Sequence, residues 1–268
     1  MSERGRNWIA ALADELLPSR CASVLRADGK LGEDRARLIA VVPDPNNSFA
    51  RARNGEVGIR EAVGLADEVR SIIRDDASTA EAHRRPLVAV VDLPSQAYGT
   101  LEEALGIHLA IAAAVDAYAS ARNAGHPVIA LIVGSALSGG FLAHGLQATQ
   151  IIALDDPGVT IHAMNQAAAA RVTRRTREEL VTLGQVLKPL SYSVRGWASL
   201  GYCDDLLQVA AAEDPTPSDV ITVKNALVSA ISRARQAPHT LDRLRSPAAR
   251  TMRLASCRVR AAVAAQWD

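Results

Sequence analysis

The spacing of apolar residues along the chain predicts an alternation of helices and strands. Residues 7 to 17 carry apolar positions at helical spacing, and "CASVLRADGKLGEDRARLIAVVPD" reads as a hairpin of two β-rich runs around an Asp28-Gly29 turn. "GEVGIREAVGLADEVRSIIRD" follows as a helix with Val57, Val63, Leu65, Val69 and Ile72 broadly on one side. "PLVAVVD", residues 86 to 92, is continuously apolar, as a strand covered on both faces must be. The alanine-rich "TLEEALGIHLAIAAAVDAYASARNAG" then reads as one long helix ending at Gly125. "PVIALIV", "FLAHGLQA" and "IIALD" repeat the strand, helix, strand rhythm, and from about residue 171 the chain is mostly helical. The expected class is α/β, with right-handed crossovers around a mostly parallel sheet.

Composition narrows this only slightly. With 268 residues, 49% hydrophobic and 22% charged, the chain can bury a full core, expected as a single domain over 1–268 with its core at about 20–210 and a helical C-terminal region at about 211–268. A formal net charge of +1 predicts no strong global attraction to nucleic acid. No run reaches the roughly 18 apolar residues of a membrane span, and the first residues lack a signal-peptide layout, so a cytoplasmic location is expected. Cys21, Cys203 and Cys257 are scattered without metal-ligand spacing, so neither a disulfide framework nor a metal site is expected.

Ligands of open α/β sheets bind where parallel strands end. Two such loops stand out: "VDLPSQAYG", with Asp92, Pro94, Ser95 and Gln96, and "GSALSGG", residues 134 to 140. In the second, glycines let backbone N–H groups at a helix start approach a ligand, which suits developing negative charge. Tight helix-on-strand packing explains the same glycines equally well. About 40 residues, one helix plus one strand, separate the loops, so both can converge on one site.

The stretch from "VVDLPSQAYG" through "GSALSGGFLAHGLQATQIIALDDPGVTIHAM" resembles the crotonase superfamily, particularly its carboxyltransferase branch. With "PDPNNSFARARNGEVG" and "LGQVLKPLSYSVRGWASLGYCDDLL" included, nearly the whole chain is most similar to the gamma subunits of biotin-independent malonate decarboxylases. The resemblance implies the β-β-α superhelix shared by crotonases and Clp-type peptidases. It also implies pairing with a related beta-type subunit and decarboxylation of a malonyl thioester on an acyl-carrier protein to the acetyl thioester and CO2. No cofactor would be bound to this chain; the coenzyme-A-like arm would belong to the carrier subunit. The oxyanion-hole turn maps to Ser138, Gly139, Gly140 and Phe141, and Asp92, Pro94, Ser95, Gln96, Asn165 and Gln166 are the expected substrate-binding residues.

Departures from related families restrict the chemistry. Leu142 stands where enoyl hydratases carry a catalytic glutamate, which argues against hydration. An acyl-CoA carboxyltransferase subunit is one alternative. A Clp-like serine hydrolase is another, since Ser138 and His162 have nearly the spacing of that nucleophile and base. His144 is a candidate proton donor or a core histidine, and Asn165 and Gln166 serve the site or cap a helix. Arg171, Arg174, Arg175 and Arg177, with the late group Arg233, Arg235, Arg243, Arg245, Arg250, Arg253, Arg258 and Arg260, form either solvated faces or contacts for an acidic carrier protein. RNA binding is disfavoured by the balanced charge, and Trp8, Trp197 and Trp267 read as packing anchors.

Overall fold

A computed structural model describes residues 2–237 and 245–267. Arg243 lies outside them. The chain opens with helix α1 (Arg4–Leu12) and the strands β1 (Glu15–Leu17), β2 (Val24–Leu31) and β3 (Asp34–Val41). Next come α2 (Ile59–Asp75), β4 (Leu87–Leu93), α3 (Thr100–Ala104), α4 (Ile107–Asn123), β5 (Val128–Leu137) and α5 (Ser138–Ala143). After β6 (Gln150–Leu154) and β7 (Thr160–His162) lie α6 (Gln166–Thr173), α7 (Arg177–Val186), α8 (Val194–Ser199) and β8 (Asp205–Leu207). Helices α9 (Pro217–Gln236), α10 (Pro247–Met252) and α11 (Leu254–Ala264) complete the described chain.

One sheet runs in the order β1-β2-β3-β4-β5-β6-β8, with β7 pairing the far end of β5. The first three strands are antiparallel and every later pairing is parallel, as the alternating pattern predicts. Both faces are covered. Gly64 of α2 packs against Val24, whereas Gly29, five residues along the same strand and so on the opposite face, lies under the Leu12 carbonyl of α1. That double cover explains why all seven residues of β4 are buried. No described helix is long and apolar enough to cross a membrane.

Four local expectations are corrected. The β2–β3 hairpin turns at Gly32 and Glu33, not at Asp28-Gly29. A two-residue hairpin loop favours glycine at its first central position, and Gly32 supplies it with φ 62°. Asp28 instead stays in the ladder, bonded to Arg37 on the facing strand, and Gly29 stays because a Cβ there would sit 2.8 Å from the Leu12 carbonyl oxygen. The long alanine-rich helix is two helices, α3 and α4, broken at Gly106 with φ 83°. The "FLAHGLQA" helix is only the six-residue α5, stopped by an extended His144 and by Gly145 at φ 117°. Of the three tryptophans, Trp8 is fully buried, whereas Trp267, expected as a packing anchor, is 87% exposed among the described residues.

Between α2 and the sheet lies a buried charge cluster. Asp28 is 5% exposed and Arg37 6%; they meet at 2.6 Å, while Glu68 of α2 takes Arg26 at 2.7 Å. Burial alone would raise the Asp28 pKa, but the hydrogen bond and charge of Arg37, with Arg35 at 2.7 Å on the other carboxylate oxygen and Arg85 adding its charge, outweigh it and hold the carboxyl below its ordinary value. A carboxyl depressed in the folded state stabilises fully above its unfolded pKa and loses that contribution as pH falls through the folded one. Asp28→Ala, which leaves the buried Arg37 only the more distant Glu68 carboxylate at 3.9 Å, is therefore expected to lower unfolding free energy at pH 7 by about 3 kcal/mol in denaturant titrations. Below about pH 4 the gap to wild type should narrow.

Candidate active site

Strands β4 and β5 run parallel, so their carboxyl ends open side by side and the two sequence-flagged loops emerge there together. The loop after β4 is held on a rail. The Val57 N–H donates to the Ser95 carbonyl at 3.1 Å and the Ala97 N–H to the Val57 carbonyl at 2.8 Å, which turns the Gln96 N–H to the opposite side. The segment "PDPNNSFARARNGEVG" builds that rail. Asn47 donates to the fully buried Glu61 at 2.8 Å, Arg53 donates to the Asn47 carbonyl at 2.7 Å, and Arg51 grips Glu56 with two bonds at 2.7 Å.

Against this loop lies the turn from β5 into α5. A Cβ on Gly140 would stand 2.6 Å from the Ser95 carbonyl oxygen and 3.4 Å from the Gln96 nitrogen. One on Gly139 would strike the Gln96 carboxamide oxygen. Both glycines are thus required by close approach of the loops, which is the packing reading of this stretch. Ser138 has φ 61°, the left-handed region, which bends the chain sharply as it leaves the strand. Because α5 starts at Ser138 with Leu137 as its N-cap, the Phe141 N–H is used by the Leu137 carbonyl. The donors without a helical acceptor are Ser138, Gly139 and Gly140, which removes Phe141 from the expected set. Its ring instead packs edge-on against Trp197 at 5.6 Å.

The remaining sequence candidates divide. Ser95 and Gln96 face the turn, whereas the Asp92 carboxylate is buried and accepts from the backbone N–H groups of Gly5 and Ser135 at 3.3 and 3.1 Å. His144 is a core histidine. It is fully buried, its Nδ1 meets the Tyr118 hydroxyl at 2.8 Å and its Nε2 the Val90 carbonyl at 3.2 Å, so neither nitrogen is open to a substrate carbon. Burial pushes its pKa down to about 4, against the weaker upward pull of the Val90 and Ile39 carbonyls, and it stays neutral at pH 7. As a proton donor it is set aside.

His162 pairs with Leu137 across β7 and β5 and so lies beside the turn. Its Nδ1 is engaged by the Met164 main chain and its ring stacks on Tyr192 at 4.1 Å. Among the described residues no carboxylate bonds to it, unlike the oriented base of a serine hydrolase. Asn165 caps α6 by accepting from the Ala168 N–H at 2.8 Å. Gln166 lines a separate cavity of about 720 Å³ with Asp155, Thr160, Leu180, Tyr192 and Arg195, which takes in none of residues 92 to 96 or 134 to 141.

Arg171, Arg174 and Arg175 are exposed along and just beyond α6. Arg233 and Arg235 are structural, bonded to Asp205 and Asp34, and Arg253 covers the Tyr202 ring at 4.8 Å. Pattern reading missed the role of Val57, which it assigned to a helix. Gly58, the actual N-cap of α2, was the available signal that the helix starts later.

The family profile for "Malonate decarboxylase gamma subunit" matches residues 52–267. The chain belongs to that gamma-subunit family. Two solved structures of Pseudomonas malonate decarboxylase contain similar chains. In a hetero-tetramer with coenzyme A the similar chain is 47% identical, with TM-score 0.91 over 98% of this chain and 99% of that one. In an MdcD–MdcE hetero-dimer it is also 47% identical, with TM-score 0.86 and full coverage of both chains. A malonyl-S-ACP:biotin-protein carboxyltransferase of Malonomonas rubra is 32% identical over 164 residues, 61% of this chain and 56% of that relative's length. The transcarboxylase 12S core, 20% identical with TM-score 0.62 over 88% of this chain and 41% of its own, shares the fold alone, which is that of crotonase-like carboxyltransferases.

For this gamma-type chain the sealed histidine gives a sharp expectation. Tyr118→Phe leaves His144 Nδ1 buried without a donor and should cost about 1–3 kcal/mol of stability without impairing turnover in the folded protein. A histidine whose folded pKa is depressed adds stability that is complete above its unfolded pKa and lost as pH falls toward the folded one. Titration of the His144 ring by NMR should accordingly show a midpoint near 4.

Proposed function

We propose that this chain is one half of a malonyl-thioester decarboxylase, working with a related beta-type subunit on malonyl-S-acyl-carrier protein to give acetyl-S-acyl-carrier protein and CO2. The single observation that supports the reading at the level of chemistry is the close approach of the Gly139–Gly140 turn to Ser95 and Gln96 beside two strand ends, where a Cβ on Gly140 would stand 3.4 Å from the Gln96 nitrogen. Family membership supplies the substrate class. As the C–C bond to the carboxylate breaks, its electron pair moves into the thioester carbonyl and forms an enolate, whose carbon then takes a proton. Preorganised donors lower that barrier, and one is worth about 2.7–4 kcal/mol. In this reading the N–H groups of Gly139, Gly140 and Gln96 hold a substrate oxygen, and the coenzyme-A-like arm of the carrier delivers the thioester. The presence of coenzyme A in the Pseudomonas assembly agrees with such an arm.

The partner follows from what is left uncovered. Tyr98, Leu101, Leu105 and Leu109, on the loop, α3 and α4 directly beyond the site, are exposed together with Leu142 of α5. Apolar groups gathered around a site mark a protein interface. Arg171, Arg174 and Arg175 are the proposed contacts for an acidic carrier protein. A second reading, carboxyl transfer to a biotin protein, is favoured by the Malonomonas rubra relative; adding a biotinylated acceptor to the assay separates the two.

The chain co-expressed with its beta-type partner should release CO2 from malonyl-S-acyl-carrier protein, and the chain alone should not. In that complex Gly140→Ala is expected to lower kcat about 100- to 1000-fold, since its Cβ meets backbone at Ser95. Gly139→Ala should cost less, because what it meets is the movable end of Gln96. Circular dichroism and co-purification check that both variants stay folded and assembled. Near-normal kcat in assembled Gly140→Ala, or stoichiometric labelling of Ser138 by a fluorophosphonate, contradicts the reading.

A further inference from the structure

The ladder between β4 and β5 breaks just before the turn. Val91 faces Ile132 but Leu93 faces Ala136, so Val133, Gly134 and Ser135 lie opposite the single residue Asp92. A bulge of this kind re-aims a strand, and here it comes three residues ahead of Ser138. Both sides of it are held by charged groups from elsewhere in the chain. The Asp92 carboxylate accepts from the Ser135 N–H at 3.1 Å, and its other oxygen takes the Gly5 N–H of α1 at 3.3 Å. Arg4, the preceding residue of α1, is itself buried and donates to the Val133 carbonyl at 3.1 Å, while Asp156 at 2.8 Å and Glu213 hold its guanidinium in place. Gly134 has no side chain because the Asp92 carboxylate occupies that space.

We infer that Asp92 and Arg4 are positioning residues for the reaction, clamping the β5 bulge from its N–H and its C=O sides so that the 138–140 donors point at one fixed place. Asp92 therefore acts through the turn and does not bind substrate, contrary to its sequence-based assignment. The N-terminal helix, remote from the site in sequence, is the anchor of both arms. This rests on the decarboxylase reading of the turn. A purely structural role would lower stability without a selective loss of kcat, whereas a positioning role loosens the bulge and the turn it leads into while the Val57 bonds to Ser95 and Ala97 stay in place.

The test uses the two-subunit complex with Asp92→Ala, Asp92→Asn and Arg4→Gln. Asp92→Ala and Arg4→Gln should each lower kcat about 10- to 100-fold while KM stays within about twofold, because donors displaced by a fraction of an ångström lose transition-state contacts first. Asp92→Asn, whose one carboxamide oxygen can still accept from Ser135 while its NH2 faces the Gly5 N–H, should recover part of that loss. Hydrogen exchange of the Ser135 and Ser138–Gly140 amides should accelerate in Asp92→Ala while the amides of β6 are unchanged. A raised KM at unchanged kcat would return Asp92 to the substrate. Normal kcat with unchanged exchange would remove the clamp altogether. If the wild-type complex itself releases no CO2, the decarboxylase reading fails, and the exchange data still decide whether the clamp controls the turn.

Discussion

Everything at this site depends on two backbones passing closer than side chains allow. The loop after β4 and the turn after β5 meet with Gly140 under the Ser95 carbonyl and Gly139 under the Gln96 side chain, and no residue with a Cβ fits at 140 without moving main chain. That approach costs conformational entropy at the glycines, and the surrounding structure offsets the cost by fixing each loop separately. Val57 holds one loop through two backbone bonds, and the bulge in β5 sets the direction of the other. In the proposed reaction, N–H groups fixed before substrate arrives need no reorganisation when charge develops, and rigidity would there convert into rate.

Buried charge recurs as the means of fixing. Arg37 and Asp28 join β3 to β2, Glu68 ties α2 to the same cluster, Glu61 gathers Ser23, Asn47 and the Gly58 N–H, and Arg4 and Asp92 grip the bulge. Such groups are poor sources of net stability, because desolvation opposes their attraction. Directional bonding is what they add: each selects one register or one loop path over neighbours of similar hydrophobic burial. His144 shows the contrasting case, a polar group fully satisfied by Tyr118 and Val90 and kept neutral by burial, with nothing left over for chemistry.

How much of this was legible in the sequence depended on the range of the interaction. Strand β4 and the loop positions announced themselves, since a doubly covered strand must be continuously apolar and a turn at such close quarters must be glycine-rich. The hairpin turn was misplaced because Asp28-Gly29 carries a strong local turn signal, overridden by Arg37 across the ladder and Leu12 above it. Phe141 was counted as a donor one residue too late because the start of α5 is set by the left-handed Ser138, which no composition reveals. Arg4 was invisible for a different reason: its partners Val133, Asp156 and Glu213 lie more than 120 residues away, and only the fold brings them to it.

The central claim is that the backbone donors gathered between the two loops hold an oxygen of the malonyl thioester. It is tested most directly by a crystal structure of the assembled two-subunit complex with a non-reactive malonyl-thioester analogue bound. The account predicts a thioester or carboxylate oxygen within about 3.1 Å of at least one of the Gly139, Gly140 and Gln96 nitrogens. An analogue seated wholly against the partner subunit, or one bonded covalently to Ser138 Oγ, would contradict it.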